Sequence, residues 1–371
     1  MILSATRVVT PARVLAPGWL RVTGDRITEV GEGHPPAPAD AHAELLVPGF
    51  VDIHGHGGGG FSHTDGDPEA SRAAVRAHLA HGTTTQVASL VTDSLDTLVA
   101  SLRALRPLVA DGALAGLHLE GPWLSFDHPG AHDTSHLCDP TPAAVDAVLD
   151  AADGALSMVT LAPERAGGLD AVRRLAEAGV TVAVGHTDAT YDQTRAALDA
   201  GATVGTHLFN CMRRLHHREP GVIGALLGSD AYVELVADGV HLHDETLRLA
   251  FAAAPGRPVL ITDAMGAAAA ADGDYLLGPM AVEVRDGLAR IATTGAIAGS
   301  TLTSLAAVRH AVRFAGIPLV DAVRAATATP AAALGLPDVG ELRAGARADL
   351  VLLDDDLGLL RVLHAGEWLS R

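Results

Sequence analysis

Short apolar runs alternate with amphipathic segments between residues 48 and 336. Eight of these runs have the length and composition of buried strands, at residues 50–53, 83–91, 116–119, 156–162, 180–185, 202–206, 232–240 and 259–262. Apolar side chains recur at helical spacing over residues 94–109, and Thr141 before Pro142 predicts the start of another helix. Residues 274–298 interrupt the alternation with a hairpin signal, which indicates an insertion after the eighth strand.

Eight strand-and-helix units in succession favour a (β/α)8 barrel of the TIM type. A doubly wound open sheet is the alternative, but no Gly-x-Gly-x-x-Gly follows the first strand. The chain ends differ, since residues 1–47 contain a hairpin signal around the Gly24-Asp25 turn and residues 337–371 contain two strand-like runs. Because chain termini often lie close together, these two ends are predicted to form a small β-sandwich domain beside a catalytic barrel of residues 48–336.

Composition excludes several classes of partner. The chain has 371 residues and a net charge of −18, which repels nucleic acid and anionic membranes, so neither is expected as a partner. No apolar run approaches the roughly 20 residues of a membrane span, and no secretory signal is visible, so a cytoplasmic location is expected. Two cysteines are too few for a disulfide framework. All 26 basic residues are arginine, which excludes a Schiff-base lysine, a P-loop lysine and a carbamylated-lysine metal bridge.

Side chains that bind metals or transfer protons stand at the carboxyl ends of six predicted strands, where a barrel places its active site. They are His54, His56, Glu120, His186, His207, His241 and Asp263. The His-x-His pair puts two imidazoles on one side of its strand because strands have a period of two. Together with Glu120, His186 and His207, this pair predicts a metal site, and imidazole with carboxylate suits Zn²⁺ or Fe²⁺.

Two further features each have a functional and a structural interpretation. Asp263 would serve as general base and then general acid, or it would cap the next helix. Residues 213–218 form a basic cluster that would bind phosphate or carboxylate, or it would be a solvated loop. His78, His81 and His310 fall on helices and are interpreted as surface residues without a role.

Taken in order, ten segments resemble N-acetylglucosamine-6-phosphate deacetylases of the amidohydrolase superfamily. The segments are PGFVDIHGHGG, HLEGPWLS, GAHD, VTLAPE, VGHTDATY, THLFNCM, HHREPG, VADGVHLH, ITDAMGA and AGSTLTSL. The resemblance runs from about Pro48 to the C-terminus. PGFVDxHxH is shared across the superfamily, whereas HLEGP with HLFN and HHREPG is specific to these deacetylases.

The resemblance implies a metal centre and a substrate. Glu120, His186 and His207 match the ligands of the metal present in all members. His54 and His56 match a second pair, with Glu120 as the bridge, so one or two divalent ions per subunit are implied, with Zn or Fe expected. The implied substrate is a phosphorylated amino sugar, N-acetyl-D-glucosamine 6-phosphate, which would yield D-glucosamine 6-phosphate and acetate.

The resemblance also implies roles for the residues around the metal. Asp263 matches the catalytic aspartate, and His132 would polarise the acetyl carbonyl. The remaining matches are substrate contacts, namely Ala131, His132, Asn210, Cys211, Ile297, Ala298 and Gly299, and the phosphate ligands Arg218 and His241. Arg218 would reach into the site of the partner subunit of a homodimer.

Three departures from the family pattern lie near the substrate. Cys211 replaces the usual alanine, Arg213-Arg214 replace a proline-containing pair, and His128-Pro129 stand where basic residues are frequent. A deacetylase of a related N-acetylhexosamine phosphate is therefore one alternative. The same barrel would also suit a cyclic amide hydrolase or aminohydrolase, a metal-dependent sugar-phosphate isomerase or aldolase, or a noncatalytic binding scaffold.

Overall fold

The computed structural model describes residues 1–10 and 13–370, and a parallel barrel lies at its centre. In this part of the chain eight strands pair in sequence order, each parallel to the next. They are Phe50–Asp52, Thr83–Val91, Gly116–Glu120, Leu156–Leu161, Thr181–Val184, Ala202–Gly205, Tyr232–Val236 and Pro258–Ile261. The predicted eight-strand barrel is therefore confirmed.

The first and eighth strands meet just beyond their carboxyl ends. Gly55 forms a parallel bridge with Ala264, and the Asp263 backbone N–H donates a hydrogen bond to the His54 carbonyl at 2.9 Å. This contact joins the two edges of the sheet at the barrel mouth. It also fixes the distance between the first predicted metal ligand and the predicted catalytic aspartate.

Helices cover the outer face of the barrel and begin at the expected caps. Ser94 accepts a hydrogen bond from the Thr97 backbone N–H at 3.1 Å, and Thr141 accepts one from Ala144 at 3.3 Å. The described α-helices are Pro68–Leu79, Leu95–Ala110, Pro142–Ala152, Gly168–Glu177, Tyr191–Asp199, Gly221–Leu227, Asp244–Ala253, Ser304–Arg313, Leu319–Ala325 and Ala328–Ala333, with a 3-10 turn at Thr134–His136. Among the described residues, no helix combines the length and apolarity that crossing a bilayer requires.

A second sheet joins the two ends of the chain. Ala41–Pro48 lies between Ile2–Val9, which is parallel to it, and Leu350–Leu353, which is antiparallel. Among the described residues the other strands of this sheet are Val14–Leu15, Gly18–Thr23, Arg26–Glu32, Leu359–His364 and Glu367–Trp368. Part of the sheet's buried side chains form a hydrophobic core of their own, and the others, among them Val9, Leu45, Val47, Val351 and Leu353, join the core of the barrel. The boundaries of a domain of residues 1–47 plus 337–371 and a barrel of 48–336 stay a prediction.

The insertion after the eighth strand is larger than the expected hairpin. Met280–Arg285 and Leu288–Ile291 form that hairpin, and Gly273–Leu277 adds a third antiparallel strand. The third strand escaped prediction because only its last residue is buried, so its apolar alternation is weak. The insertion packs its buried side chains against Val91 and Met265 at the barrel mouth.

Candidate active site

The predicted metal ligands converge on the buried carboxylate of Glu120. Its Oε1 lies 3.1 Å from Nε2 of His186 and 3.0 Å from Nε2 of His207. Its Oε2 lies 3.1 Å from Nε2 of His56 and 3.5 Å from Nε2 of His54. The two oxygens of one carboxylate therefore face two different pairs of imidazoles.

Three of these imidazoles are anchored through their outer nitrogens. Nδ1 of His54 lies 3.0 Å from the Glu234 carboxylate. Nδ1 of His56 lies 3.1 Å from the Ser89 carbonyl oxygen, and Nδ1 of His186 lies 2.9 Å from the His128 carbonyl oxygen. Because these oxygens accept and do not donate, each Nδ1 carries the proton. Each Nε2 then presents its lone pair to the cluster, as a metal-binding histidine requires.

This donor set fits a divalent cation. The Nε2 atoms of His54 and His56 lie 3.3 Å apart with both lone pairs facing inward, an arrangement that a cation between them relieves. Ligand atoms on a tetrahedral zinc ion are separated by about 3.3 Å, which is the geometric consequence of metal–nitrogen bonds of about 2.0–2.1 Å. His54, His56, Glu120 and Asp263 are one group whose ligand atoms lie within reach of a single ion.

The cluster keeps its carboxylates ionised. Burial raises the pKa of Glu120, but the imidazoles of His54, His132 and His186 outweigh burial and hold this pKa well below its usual value. Burial also raises the pKa of Asp263, and the imidazoles of His56 and His54, in the doubly protonated form that they take without a cation, reverse that effect. Both groups are therefore carboxylates at neutral pH, as a metal ligand or a general base must be.

Three of the predicted metal ligands and catalytic residues have left-handed backbones. His186, His207 and Asp263 have φ angles of 46°, 25° and 49°. A residue other than glycine in this region costs of order 1–3 kcal/mol, and such residues cluster where a side chain must be aimed for function. Each follows a barrel strand closely, so the turn redirects its side chain toward the mouth.

Asp263 lies with the predicted ligands. Its Oδ1 is 3.3 Å from Nε2 of His56 and 3.7 Å from Nε2 of His54. It caps none of the helices in residues 1–10 and 13–370. The structure therefore rejects the helix-cap interpretation and places the Asp263 carboxylate among the predicted metal ligands.

His132 is held as a neutral hydrogen-bond donor. The Thr92 backbone N–H donates to Nδ1 of His132 at 3.3 Å, and the Thr92 hydroxyl lies 2.8 Å from the same nitrogen. A neutral ring that accepts at Nδ1 carries its proton on Nε2. That Nε2 lies 3.5 Å from Oε2 of Glu120. Burial and the nearby His186 lower the pKa of His132 to about 4, which agrees with a neutral ring.

A cavity of about 220 Å³ opens above the cluster. The predicted site residues that line it are His56, Glu120, Ala131, His132, His186, His207, Asn210, Cys211, His241, Asp263, Ile297 and Gly299. His54 and Ala298 are fully buried and do not line it. A cavity of about 290 Å³ between Asp244–Ala253 and Leu319–Ala325 is larger, but none of the predicted site residues lines it.

His241 is suited to an anionic group. Its Nδ1 lies 2.6 Å from Oδ2 of Asp238, which orients the ring in the cavity wall. Burial lowers the pKa of His241, but the hydrogen bond and charge of Asp238 outweigh burial and raise the pKa above its ordinary value. A proton on this imidazole would favour binding of a phosphate.

The basic loop at residues 213–218 separates into two parts. Arg213 donates to the Asp188 carboxylate at 2.6 and 3.1 Å, so its charge is already paired. Arg218 is exposed, and its Nη1 lies 2.8 Å from Nε2 of His217. Arg218 does not line the cavity of its own chain.

Several buried polar residues next to the ligands were absent from the sequence-based predictions. Glu234, Ser89 and Thr92 each contact a predicted site residue. The signal that could have revealed Glu234 is a charged residue inside the otherwise apolar strand Tyr232–Val236. His78 was assigned to the surface, which is wrong, because its ring is buried and its Nε2 lies 2.9 Å from the Gly57 carbonyl.

Comparisons with known proteins agree with this geometry. A family described as "Amidohydrolase family" matches residues 45–368. The N-acetylgalactosamine-6-phosphate deacetylase of Escherichia coli O157:H7 is 37% identical over 375 residues, covering 100% of this chain and 99% of that protein. The N-acetylglucosamine-6-phosphate deacetylase of Vibrio furnissii is 37% identical over 320 residues, covering 85% of this chain and 80% of that protein.

A solved structure has nearly the same fold. It is a mutant of the N-acetyl-D-glucosamine-6-phosphate deacetylase from Mycobacterium smegmatis, in complex with N-acetyl-D-glucosamine-6-phosphate. Its TM-score is 0.97 at 49% identity, and the match covers 99% of this chain and 98% of that one.

Proposed function

The chain belongs to the amidohydrolase family, and we propose that it removes the acetyl group from N-acetyl-D-glucosamine 6-phosphate. The products are D-glucosamine 6-phosphate and acetate. The observation that carries this assignment is the convergence of Glu120, Asp263 and four imidazoles at the mouth of a barrel. The substrate class is supported by the relatives, which are named as deacetylases of 6-phosphorylated N-acetylhexosamines.

Divalent cations are the proposed cofactor, with Zn²⁺ or Fe²⁺ favoured by the imidazole and carboxylate donors. His186 and His207 would hold one ion and His54 and His56 a second, with Glu120 shared between them. A cation at this position supplies Lewis acidity, which activates water and polarises an amide carbonyl.

The reaction then depends on two residues of this chain. Asp263 accepts a proton from the water that attacks the acetyl carbon, and it later delivers that proton to the nitrogen as the C–N bond breaks. Asp263 is ionised at neutral pH, so a carboxylate oxygen is free to accept this proton. His132 donates its Nε2–H to the carbonyl oxygen, on which negative charge develops.

The phosphate is assigned to His241 and to Arg218 of a second subunit. His241 lies in the cavity wall beside Asp238. Arg218 is exposed and does not line its own cavity, which supports a homodimer in which it completes the site of the partner. A cytoplasmic location is part of the same proposal, because phosphorylated sugars are intracellular metabolites.

N-acetyl-D-galactosamine 6-phosphate is the second candidate substrate. The relative from Escherichia coli O157:H7 that is named for this epimer matches the whole length of the chain. Cys211 lines the substrate cavity at a position where the family usually has alanine. This difference is a candidate cause of a preference between the two epimers.

The test is acetate release from the two 6-phosphorylated epimers and from unphosphorylated N-acetylglucosamine. The protein is reconstituted with Zn²⁺ or Fe²⁺, and a chelated sample is the control. Metal-dependent release that requires the phosphate is expected. The ratio of kcat/KM values for the epimers assigns the preferred substrate, and no release from metal-loaded protein would contradict the proposal.

A further inference from the structure

Glu234 is a buried carboxylate in the barrel wall, beside the predicted metal ligands. It lies on the strand Tyr232–Val236 and is fully inaccessible to solvent. Its Oε2 accepts a hydrogen bond from Nδ1 of His54 at 3.0 Å and from the backbone N–H of His207 at 3.2 Å. Its Oε1 has no hydrogen-bond partner among the described residues.

We propose that Glu234 is a positioning residue that selectively strengthens the metal subsite formed by His54 and His56. The proposal rests on the proposed function, because it takes these two histidines as metal ligands.

The selectivity follows from the different contacts that Glu234 makes with two histidines. It contacts the ring of His54, whereas it contacts only the main chain of His207. A carboxylate that accepts a proton from one imidazole nitrogen fixes the ring orientation and makes the opposite nitrogen a stronger metal donor. The Nδ1 of His207 has no partner among the described residues, so the ring of His207 receives no such support.

The surroundings of Glu234 indicate that its charge has a function. The ring of His118 packs edge-on against the ring of His54, with centroids 4.6 Å apart. His118 is satisfied by the hydroxyls of Ser89 and Thr160 at 2.9 Å each, so it does not neutralise Glu234. The interior of such a barrel is usually filled by branched aliphatic residues, and a buried carboxylate carries a desolvation cost that an apolar residue would avoid. The contact with the His54 ring accounts for a carboxylate at this position.

Zinc titration of the apoprotein against a chromophoric chelator tests the inference. The wild-type protein is expected to bind Zn²⁺ in two steps, and His56→Ala identifies the step that belongs to the His54 and His56 subsite. Glu234→Gln keeps the shape and one acceptor oxygen but removes the charge. We expect it to weaken that same step by about 10–100-fold and to leave the other step within about threefold.

Glu164→Gln is the matched control. Glu164 accepts hydrogen bonds from Thr187 Oγ1 at 2.5 Å and from the Asp188 backbone N–H at 2.7 Å, and neither residue is a predicted ligand. The same chemical change at this carboxylate is expected to leave the His54 and His56 step in place. A shift of that step as large as in Glu234→Gln would overturn the inference.

Three other results would also overturn it: two unchanged steps in Glu234→Gln, equal weakening of both steps, or a single step in the wild type. If Glu234→Gln is not recovered as folded protein, Glu234→Asp is judged by the same comparison. Acetate release by the wild type is measured in parallel. Two zinc steps without acetate release would contradict the proposed function alone, whereas an active wild type with an unchanged Glu234→Gln titration would contradict the inference alone.

Discussion

Replacing Asp349 with alanine is expected to destabilise the junction between the terminal sheet and the barrel. Asp349 is 2% exposed and accepts hydrogen bonds from Nε of Arg347, from Nδ1 of His364 at 3.0 Å and from the Ala365 backbone N–H at 2.8 Å. Arg347 also donates to Oγ1 of Thr85, on the second barrel strand, at 2.8 Å. The carboxylate thus holds the arginine that connects the two parts of the chain.

The size of the effect follows from what the substitution leaves unpaired. Removing one partner of a buried ion pair costs about 3–5 kcal/mol in the free energy of unfolding. The side chains of Arg347 and His364 are 27% and 38% exposed, so water compensates for part of the loss. We therefore expect a cost near the lower limit, about 3 kcal/mol, for Asp349→Ala. Asp349→Asn retains an acceptor oxygen and should cost about half as much.

The stabilisation also depends on pH. Burial raises the pKa of Asp349, but the hydrogen bond of His364, the charge of Arg347 and the Ala365 N–H outweigh burial and hold this pKa below its ordinary value. Because the pKa is lower in the folded protein than in the unfolded chain, the contribution is fully present above the unfolded value of about 3.9. This contribution to the free energy of unfolding is lost as the pH falls from the unfolded-chain pKa through the lower pKa of the folded protein.

Urea unfolding of the wild type, Asp349→Ala and Asp349→Asn at pH 7 and pH 3 measures both effects. The kcat/KM at 25 °C is expected to stay near the wild-type value, because Asp349 does not line the substrate cavity. A cost below about 1 kcal/mol at pH 7, or a difference at pH 3 as large as at pH 7, would refute the reasoning.

Three further predictions concern the site. Asp263→Asn should lower kcat by at least about 10³-fold while the metal content of dialysed protein stays nearly unchanged, and near-normal turnover would reject its role as base. Arg218→Ala should raise KM for the phosphorylated sugar by about 10–100-fold through loss of a charge-assisted bond, whereas equal losses on phosphorylated and unphosphorylated sugar would argue against a phosphate contact. Chelation should abolish acetate release and leave the far-ultraviolet circular dichroism unchanged, since aliphatic side chains form the barrel core, and added Zn²⁺ should restore activity.

The predicted fold was confirmed where local patterns were strong. The second strand was predicted at residues 83–91 and is Thr83–Val91, because this segment is rich in β-branched residues and follows Gly82. Gly273–Leu277 was missed because its side chains alternate with too few buried positions. The candidate ligands could be proposed because each stands at the end of a strand or shortly after it, and parallel strands end on the same side of a barrel. Their roles in binding and catalysis stay predictions.

The chain order of strands, helices and strand-end side chains follows from the sequence, since propensity, capping and periodicity act over a few neighbouring residues. The partners of those side chains do not follow from it. Nδ1 of His54 meets the carboxylate of Glu234, which is 180 positions away, and His186 meets the carbonyl of His128, which is 58 positions away. Such contacts depend on the register and closure of the barrel, which bring distant backbones within hydrogen-bonding distance. Barrel closure therefore determines which nitrogen of His54 and of His186 carries the proton and which faces the predicted metal ligands.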